Sequence, residues 1–172
     1  MFLSIVIPAY NEAENIKAVL DELQNTIHSL SSVNEFEIIV VDDHSSDNTF
    51  AIVSAVCQTK NNITVIRLSR RSRSHVALRA GISHAKGDIA LCISADGQDN
   101  PNVLSEMIDK IKAGSHVVWA LRQYRDEGFF SKLFSVFFYK LLRLMTSKEV
   151  YQINISDADF FLISKKVVNA IN

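Results

Sequence analysis

Two cysteines are all that the chain offers for cross-linking or thiolate ligation, and their positions favour neither. Cys57 and Cys92 lie far apart and lack CxxC spacing, so neither a disulfide framework nor a zinc knuckle is indicated. The five histidines show no HxxxH or HExxH spacing. Both cysteines are therefore expected to be small, buried hydrophobic residues.

The chain also lacks a long apolar run and a strong excess of either charge. Its most apolar stretch, residues 129–145, is interrupted by Lys132, Lys140 and Arg143, so it falls short of the roughly 18 to 20 apolar residues of a membrane span. The first apolar run ends at Pro8 with no basic residues before it, which disfavours a signal peptide and favours a cytosolic chain. A net charge of −1 gives no reason to expect a nucleic-acid partner.

Short β-branched runs alternate with segments of helical periodicity. With 172 residues, 48% of them hydrophobic, the chain is long enough for one domain with a substantial core. A helical segment follows each of the first four predicted strands, which indicates an α/β fold with a mostly parallel central sheet flanked by helices. In such folds, ligands bind beyond the carboxyl ends of the strands. The predicted strands are LSIVIP, EFEIIVVDD, ITVIRLS, DIALCIS and HVVWALR.

A polar segment follows each of these strands. Asp47 and Asn100 are expected to be helix N-caps, but capping accounts for only one side chain per helix. The remaining carboxylates, together with four nearby arginines, indicate a charged ligand. Neither GxGxxG nor GxxxxGK[ST] occurs, so the usual dinucleotide and P-loop sites are excluded. The arginines are Arg70, Arg71, Arg73 and Arg79.

The segments IVIPAYNEAENI, VVDDHSSDNT and ADGQDNP resemble, in order and spacing, the successive signatures of inverting family 2 glycosyltransferases. HVVWALRQYR and DFFLISKKVV are similar to the branch that contains dolichol-phosphate mannose synthases and bacterial undecaprenyl-phosphate glycosyltransferases. The resemblance implies a Rossmann-like GT-A fold, with residues 1–172 as one catalytic domain. It also implies sugar transfer from a UDP- or GDP-sugar to a polyprenyl phosphate. Members of this branch usually continue into membrane spans.

Site residues follow from this resemblance position by position. Asp96 and Gln98 would hold a Mg²⁺ or Mn²⁺ ion, which stabilises the charge on a nucleoside diphosphate leaving group. Ser94 stands where many members have the first acidic residue of the metal motif. Because octahedral Mg²⁺ commonly uses one or two protein carboxylates, Asp96 can suffice. The donor would be bordered by Pro8, Ala9, Tyr10, Glu12, Asp42, Asp43, Ala95 and Asp96.

Four arginines are candidates for phosphate binding. Arg122 and Arg125 follow the fifth strand, where the family's arginines meet the donor diphosphate or the acceptor phosphate, and bidentate contacts suit this role. Arg71 and Arg73 replace an Asn and a Gly of the family's SRNxGK pattern. Two interpretations of these replacements stay open: they grip the diphosphate, or they are solvated surface.

The nucleophile needs a carboxylate base only if it carries a proton. Asp159 matches the family's base position and Asp157 is the second candidate. The oxygen of a polyprenyl phosphate is already ionised, so Asp159 would then orient groups instead. Phe161 stands where some members carry an Arg, which leaves one acceptor contact without its usual residue.

Residues 129–145 are either an interfacial helix near anionic lipid or a core helix, and periodicity does not separate the two. The expected partners are the donor, the polyprenyl phosphate and a cytosolic membrane surface, and a homo-oligomer is compatible with the sequence. Two rival functions stay open. One is transfer to a saccharide hydroxyl in cell-surface polysaccharide synthesis; the other is a non-catalytic nucleotide or lipid-phosphate binding module.

Overall fold

The computed structural model describes residues 1–120 and 160–171, all within one compact unit formed by Met1–Ala120 and Ala158–Asn172. The strands of this part are β1 (Phe2–Ala9), β2 (Glu35–Asp42), β3 (Ile63–Arg67), β4 (Ile89–Cys92), β5 (Val117–Trp119) and β6 (Phe161–Ser164). Its helices are α1 (Ile16–His28), α2 (Thr49–Cys57), α3 (Ser74–His84), α4 (Leu104–Lys112) and α5 (Lys165–Ile171). A 3₁₀ turn, Pro101–Val103, precedes α4.

The six strands form one sheet in the order β3-β2-β1-β4-β6-β5. Strands β1 to β4 are parallel, whereas β6 runs antiparallel between β4 and β5. Successive connections leave β1 toward β2 on one side, while β4 lies on its other side, so the strand order reverses at β1. Such a reversal opens a crevice beyond the carboxyl ends of the strands, which is where ligands bind in doubly wound sheets.

The central strands are continuous apolar runs because helices cover both faces of the sheet. Alternate side chains of β1 point to opposite faces: Ile5 and Ile7 meet the layer of α1, α2 and α4, whereas Val6 meets the layer of α3 and α5. Helix α1 buries its apolar stripe of Val19, Leu20 and related positions on the first face. This double burial holds the strand ends, and hence the loops after them, in fixed positions.

All five predicted strands are confirmed, although β5 ends at Trp119, before the predicted limit. The sixth strand, β6, was not among the predicted strands, and it separates β5 from β4. Cys92 is fully buried as predicted. Cys57 is only partly buried, and burial raises the pKa of its thiol. Among the described residues, no helix combines the length and apolarity needed to cross a membrane.

Candidate functional site

The loop after β1 is bonded to the loop after β2. The Asn11 side-chain oxygen accepts hydrogen bonds from the Ser46 N–H at 2.9 Å and from the Ser46 hydroxyl at 3.2 Å. In return, the Asn11 N–H donates to the Ser45 hydroxyl oxygen at 3.0 Å. Asn11 has a φ of 56°, a left-handed conformation that asparagine tolerates better than most residues. These bonds make the two loops one unit.

Asp47 and Thr49 extend this connection to the start of α2. The Glu12 N–H donates to the Thr49 hydroxyl at 2.8 Å, and the Ala13 N–H donates to the Asp47 carboxylate at 3.1 Å. Asp47 also accepts from the Thr49 N–H at 2.9 Å, which is the bond expected of a capping side chain. Asp47 thus binds the first turn of α2 through its side chain, but the predicted N-cap is one residue off, because Asn48 occupies that position.

The Asp47 carboxyl titrates at lower pH than an ordinary aspartate. Desolvation is the largest single influence and raises its pKa. The hydrogen bonds from Thr49 and from the Ala13 N–H, acting together, outweigh it and lower the pKa below 3.8. Hydrogen bonds to the ionised form favour that form, so Asp47 carries its charge at neutral pH.

Asp42 is fully buried and binds Arg67. Arg67 Nε lies 3.2 Å from Asp42 Oδ2, as a charge pair without a well-aligned hydrogen bond. The Ser45 N–H donates to the other carboxylate oxygen of Asp42 at 3.2 Å, and Arg67 donates to the Ser45 carbonyl at 3.0 Å. The Arg67 guanidinium also covers the Phe50 ring at 4.9 Å. Asp42 therefore holds β2, β3 and the loop between β2 and α2 together.

Asp43 connects the second loop to the third. Its carboxylate accepts from the Ser72 N–H at 2.6 Å and from the Arg73 N–H at 2.7 Å, and only 3% of the residue is exposed. The Asp43 N–H donates to the Ala9 carbonyl at 2.8 Å. Arg73 has a φ of 74°, which the two bonds to Asp43 help to maintain. Asp43 thus lies at the meeting point of three loops.

Tyr10 and Arg71 contact each other at the same edge. The Arg71 guanidinium carbon lies 4.0 Å from the centre of the Tyr10 ring, a cation–π contact. Tyr10 is half-buried, whereas Arg71 and Arg73 are exposed. Of the predicted donor-binding residues, Pro8 and Glu12 are half-buried, and Ala9 and Ala95 are buried. Arg71 therefore lies beside a residue that the sequence assigned to the donor.

The loop after β4 is a compact turn around Asp96. The Asp96 N–H donates to the Ser94 hydroxyl oxygen at 3.3 Å, and Asp96 Oδ1 accepts from the Gln98 N–H at 3.0 Å. The Ser94 N–H donates to the Asp99 carboxylate at 3.1 Å. The Ser94 hydroxyl thus supports the main chain of Asp96. Asn100 accepts from the Asn102 N–H at 3.1 Å, as predicted for a cap before Pro101.

The predicted metal ligands, Asp96 and Gln98, both lie in this turn. Among the described residues, no three His, Cys, Asp or Glu side chains form a metal cluster. Asp96 is half-buried, and its Oδ2 accepts no hydrogen bond from the part of the chain that the structure describes. One free carboxylate oxygen fits a Mg²⁺ or Mn²⁺ ion that takes its other ligands from water and phosphate. Asp96 would hold such an ion, with Gln98 beside it.

Four predicted site residues lie outside the described residues: Arg122, Arg125, Asp157 and Asp159. Phe161 is half-buried on β6, with its ring centre 6.5 Å from that of Trp119. Sequence reasoning missed the polar groups that fix the loops, namely Asn11, Ser45, Thr49 and Arg67. The sequence marks Asn11, Ser45 and Thr49 only as polar residues of the glycosyltransferase-like segments. The role of Arg67 depends on the strand register that pairs it with Asp42.

A parallel sheet that reverses at β1, with acidic loops at the carboxyl ends, defines an α/β protein of the ligand-binding doubly wound class. The Glycosyl transferase family 2 model matches residues 4–171, and the chain belongs to this family. The uncharacterized glycosyltransferase sll0501 of Synechocystis sp. is 37% identical over 170 residues, which cover 98% of this chain and 52% of that protein.

Solved glycosyltransferases share the fold. The mannosyltransferase PcManGT from Pyrobaculum calidifontis, in complex with GDP-Man and Mn²⁺, superposes with a TM-score of 0.68 at 20% identity, over 99% of this chain and 46% of its own. S. aureus TarS in complex with UDP-GlcNAc gives 0.59 at 26% identity, over 74% of this chain and 36% of its own. The sheet and its flanking helices are therefore a GT-A fold. The chain spans about half the length of the curated relative that it matches.

Proposed function

We propose that this chain is the catalytic domain of an inverting glycosyltransferase that moves a sugar from a UDP- or GDP-sugar to a polyprenyl phosphate at the cytosolic face of a membrane. The observation that carries the proposal is the carboxyl edge of the sheet, where hydrogen bonds join the loops to one another. There, Asp43 joins three loops and Asp96 presents a carboxylate oxygen beyond β4. An acidic edge of this kind suits a donor whose diphosphate is bound through a divalent cation.

Two related proteins support the choice of donor and metal. PcManGT was solved in complex with GDP-Man and Mn²⁺, and TarS in complex with UDP-GlcNAc. In our proposal, Tyr10 and Asp43 border the nucleoside, Asp96 and Gln98 hold the ion, and Arg71 with Arg73 faces the phosphates. When bound, the ion would neutralise charge that develops on the leaving diphosphate.

The proposed reaction is a displacement at the anomeric carbon. The bond from that carbon to the diphosphate oxygen breaks, and the diphosphate keeps the electron pair. A new bond forms on the opposite face of the sugar, from an oxygen of the acceptor phosphate. That oxygen is ionised at neutral pH, so no proton has to be removed. Asp159, with Asp157 nearby in sequence, would orient the acceptor, and Arg122 and Arg125 would contact phosphate.

Calorimetry with UDP and GDP, each with and without Mn²⁺, tests the donor and metal assignment. Asp96→Asn is the test variant, because its amide oxygen can still accept a hydrogen bond from the Gln98 N–H while the charge is lost. We expect the wild type to bind one nucleotide more tightly with Mn²⁺. In Asp96→Asn this gain should fall by about tenfold or more, since the carboxylate is the charged protein ligand.

Asp99→Asn is the matched control, because it removes the same charge from the same loop. We expect it to change the Mn²⁺-dependent affinity by less than about threefold, as for a charge that does not touch the ion. Nucleotide binding that ignores Mn²⁺ and the Asp96 substitution would contradict the metal assignment. If neither UDP nor GDP binds, the donor assignment is contradicted.

A further inference from the structure

The charge of the chain is unevenly distributed along its sequence. No aspartate or glutamate occurs between Asp47 and Asp88, although this interval carries many lysines and arginines. It includes all of α3, whose charged residue Arg79 has only histidines as other ionisable neighbours on the helix. Helix α5 likewise has two lysines and no acid. The near-neutral total charge thus hides a basic segment.

The fold places the basic residues of α3, of α5 and of the turn after α3 on one side of the sheet. Helices α3 and α5 pack against each other and share one apolar cluster beneath them. Arg73 precedes α3 near the carboxyl edge of the sheet, and Lys86 follows the far end of the helix. Eleven helical residues at about 1.5 Å each separate the two. Arg79, Lys86 and Lys166 are exposed, and they define what we call the basic face.

The opposite helical layer differs in charge. Helices α1 and α4 carry both signs, and α4 pairs Lys110 with Glu106 and Lys112 with Asp109. Within the part of the chain that the structure describes, no such ion pair involves Arg79 or Lys166. The contrast between the two layers is therefore one of sign as well as of pairing.

The acids nearest to the basic face are already hydrogen-bonded within the fold. Asp43 is buried under the start of α3 and accepts two main-chain N–H groups. Glu37 is half-buried and accepts from the Ser4 hydroxyl and the Lys86 N–H. Asp88 accepts from the Phe2 N–H. Asp43 is buried and Glu37 half-buried, whereas Asp88 is exposed beyond the end of α3. Neither α3 nor α5 itself carries an acid, so the charged side chains of these two helices are all basic.

We propose that the basic face binds the surface of an anionic bilayer. Each lysine or arginine near such a surface contributes about fivefold to binding. Val76, 38% exposed on α3, adds an apolar side chain among the charges. Neither α3 nor α5 contains a Phe, Tyr or Trp, so these helices lack the main stacking platforms of single-stranded nucleic-acid sites. This surface is separate from the donor site and does not depend on which acceptor the enzyme uses.

Vesicle sedimentation of the whole chain tests the proposal. One set of vesicles is pure phosphatidylcholine, and the other contains about one quarter phosphatidylglycerol, both in about 0.1 M NaCl. Arg79→Glu with Lys166→Glu reverses two charges of the basic face. Lys17→Glu with Lys112→Glu makes the same change in net charge on the other helical layer. Circular dichroism checks that each variant is folded.

We expect the wild type to bind the anionic vesicles and not the neutral ones. The Arg79 and Lys166 variant should lose at least about 25-fold, from two charges at about fivefold each. The control should lose no more than about threefold, because its charges lie beyond the screening distance from the surface. If charge reversal unfolds the protein, Arg79→Gln with Lys166→Gln replaces it, with an expected loss of about 25-fold.

Three outcomes would overturn the proposal: binding that the Arg79 and Lys166 substitutions leave intact, equal losses in both double variants, or tighter binding to a single-stranded oligonucleotide than to the anionic vesicles. Calorimetry with UDP, GDP and Mn²⁺ on the same variants keeps the two proposals separate. We expect nucleotide binding to survive charge reversal on the basic face. A chain that binds vesicles but no nucleotide would contradict the proposed function alone.

Discussion

At the residue scale, Asp47 shows how one side chain joins two loops. Its carboxylate receives the Ala13 N–H from the first loop, and the Thr49 N–H and hydroxyl from the start of α2. The segment from Ala13 to Asn15 leads into α1, so Asp47 connects the beginnings of two helices that pack on the same face of the sheet. Loss of this carboxylate should therefore loosen the edge of the sheet.

We expect Asp47→Ala to lower the free energy of unfolding by about 1 kcal/mol at neutral pH, the usual cost of losing a capping side chain. The pKa of Asp47 is lower in the folded protein than its ordinary 3.8. The unfolded state therefore binds the proton first, and the contribution is present above the unfolded pKa. It is lost as the pH falls through the folded pKa. Urea unfolding from about pH 7 to about pH 2 measures the difference.

Asp21→Ala is the control for this experiment, because Asp21 is an exposed acid on α1 that makes no ion pair or hydrogen bond recorded within the described residues. Its effect should stay within about 0.5 kcal/mol. A difference between Asp47→Ala and wild type that grows as the pH falls below the ordinary aspartate pKa would contradict the assigned direction.

Asp42 and Asp43 show what single residues reveal before a structure is known. The pattern DD after an apolar strand predicted acidic side chains at the carboxyl edge of the sheet, and both residues lie there. Their separate contacts depend on strand pairing: Asp42 is in register with Arg67, whereas Asp43 reaches the loop before α3. The support that Ser94 gives to Asp96 was equally hidden, because it depends on the folding of the loop.

At the scale of elements, α3 lies unusually close to β1. A Cβ atom built on Gly81 would be 2.2 Å from Cγ1 of Val6 and 3.1 Å from Cγ2 of Val41. Glycine is therefore required in mid-helix, although it is a poor helix former. The close approach brings α3, and the loop before it that binds Asp43, tightly onto the sheet.

Gly81→Ala should destabilise the protein by about 2 to 3 kcal/mol through overpacking. This loss is expected even though alanine is more favourable than glycine in a helix by about 1 kcal/mol. Urea or thermal unfolding measures the change. Because the contact is with Val6, adding Val6→Ala should recover part of the loss, so that the double variant is more stable than the sum of the single effects.

Ser83→Ala, at an exposed position of the same helix, controls for general effects on α3 and should stay within about 0.5 kcal/mol. A stabilised Gly81→Ala protein, or strictly additive effects of the Gly81 and Val6 substitutions, would show that the helix shifts without cost.

Local sequence patterns predicted some of the secondary-structure elements but not the full order of strands in the sheet. The alternation of apolar runs and helical segments predicted β1 to β4 and the helices after them, because each element is encoded within its own residues. The insertion of β6 between β4 and β5 was not predictable in this way. It pairs Leu162 with Leu91 and with Val118, contacts between positions distant in sequence.

At the scale of the whole molecule, the two functions that we propose lie on two different surfaces. The carboxyl edge of the sheet carries the acidic loops for the donor, and the exposed side of α3 and α5 carries basic residues. The general rule for parallel sheets predicted the first surface. The second could not be read from a net charge of −1, because only the fold sorts the charges onto different faces.

The acceptor distinguishes the proposed function from its rivals. With labelled nucleotide sugars, we expect the labelled sugar to pass into the organic phase when undecaprenyl phosphate is the acceptor. We expect no transfer to undecaprenol, which has no ionised oxygen. Because a phosphate oxygen needs no base once it is ionised, with a second pKa near about 6, the rate should be nearly flat between about pH 7 and about pH 9. Asp159→Asn should then reduce the rate only modestly. Transfer to a saccharide hydroxyl, with a rate that rises with pH and is lost by a factor of about 10² or more in Asp159→Asn, would instead identify Asp159 as a general base and contradict the phosphate acceptor.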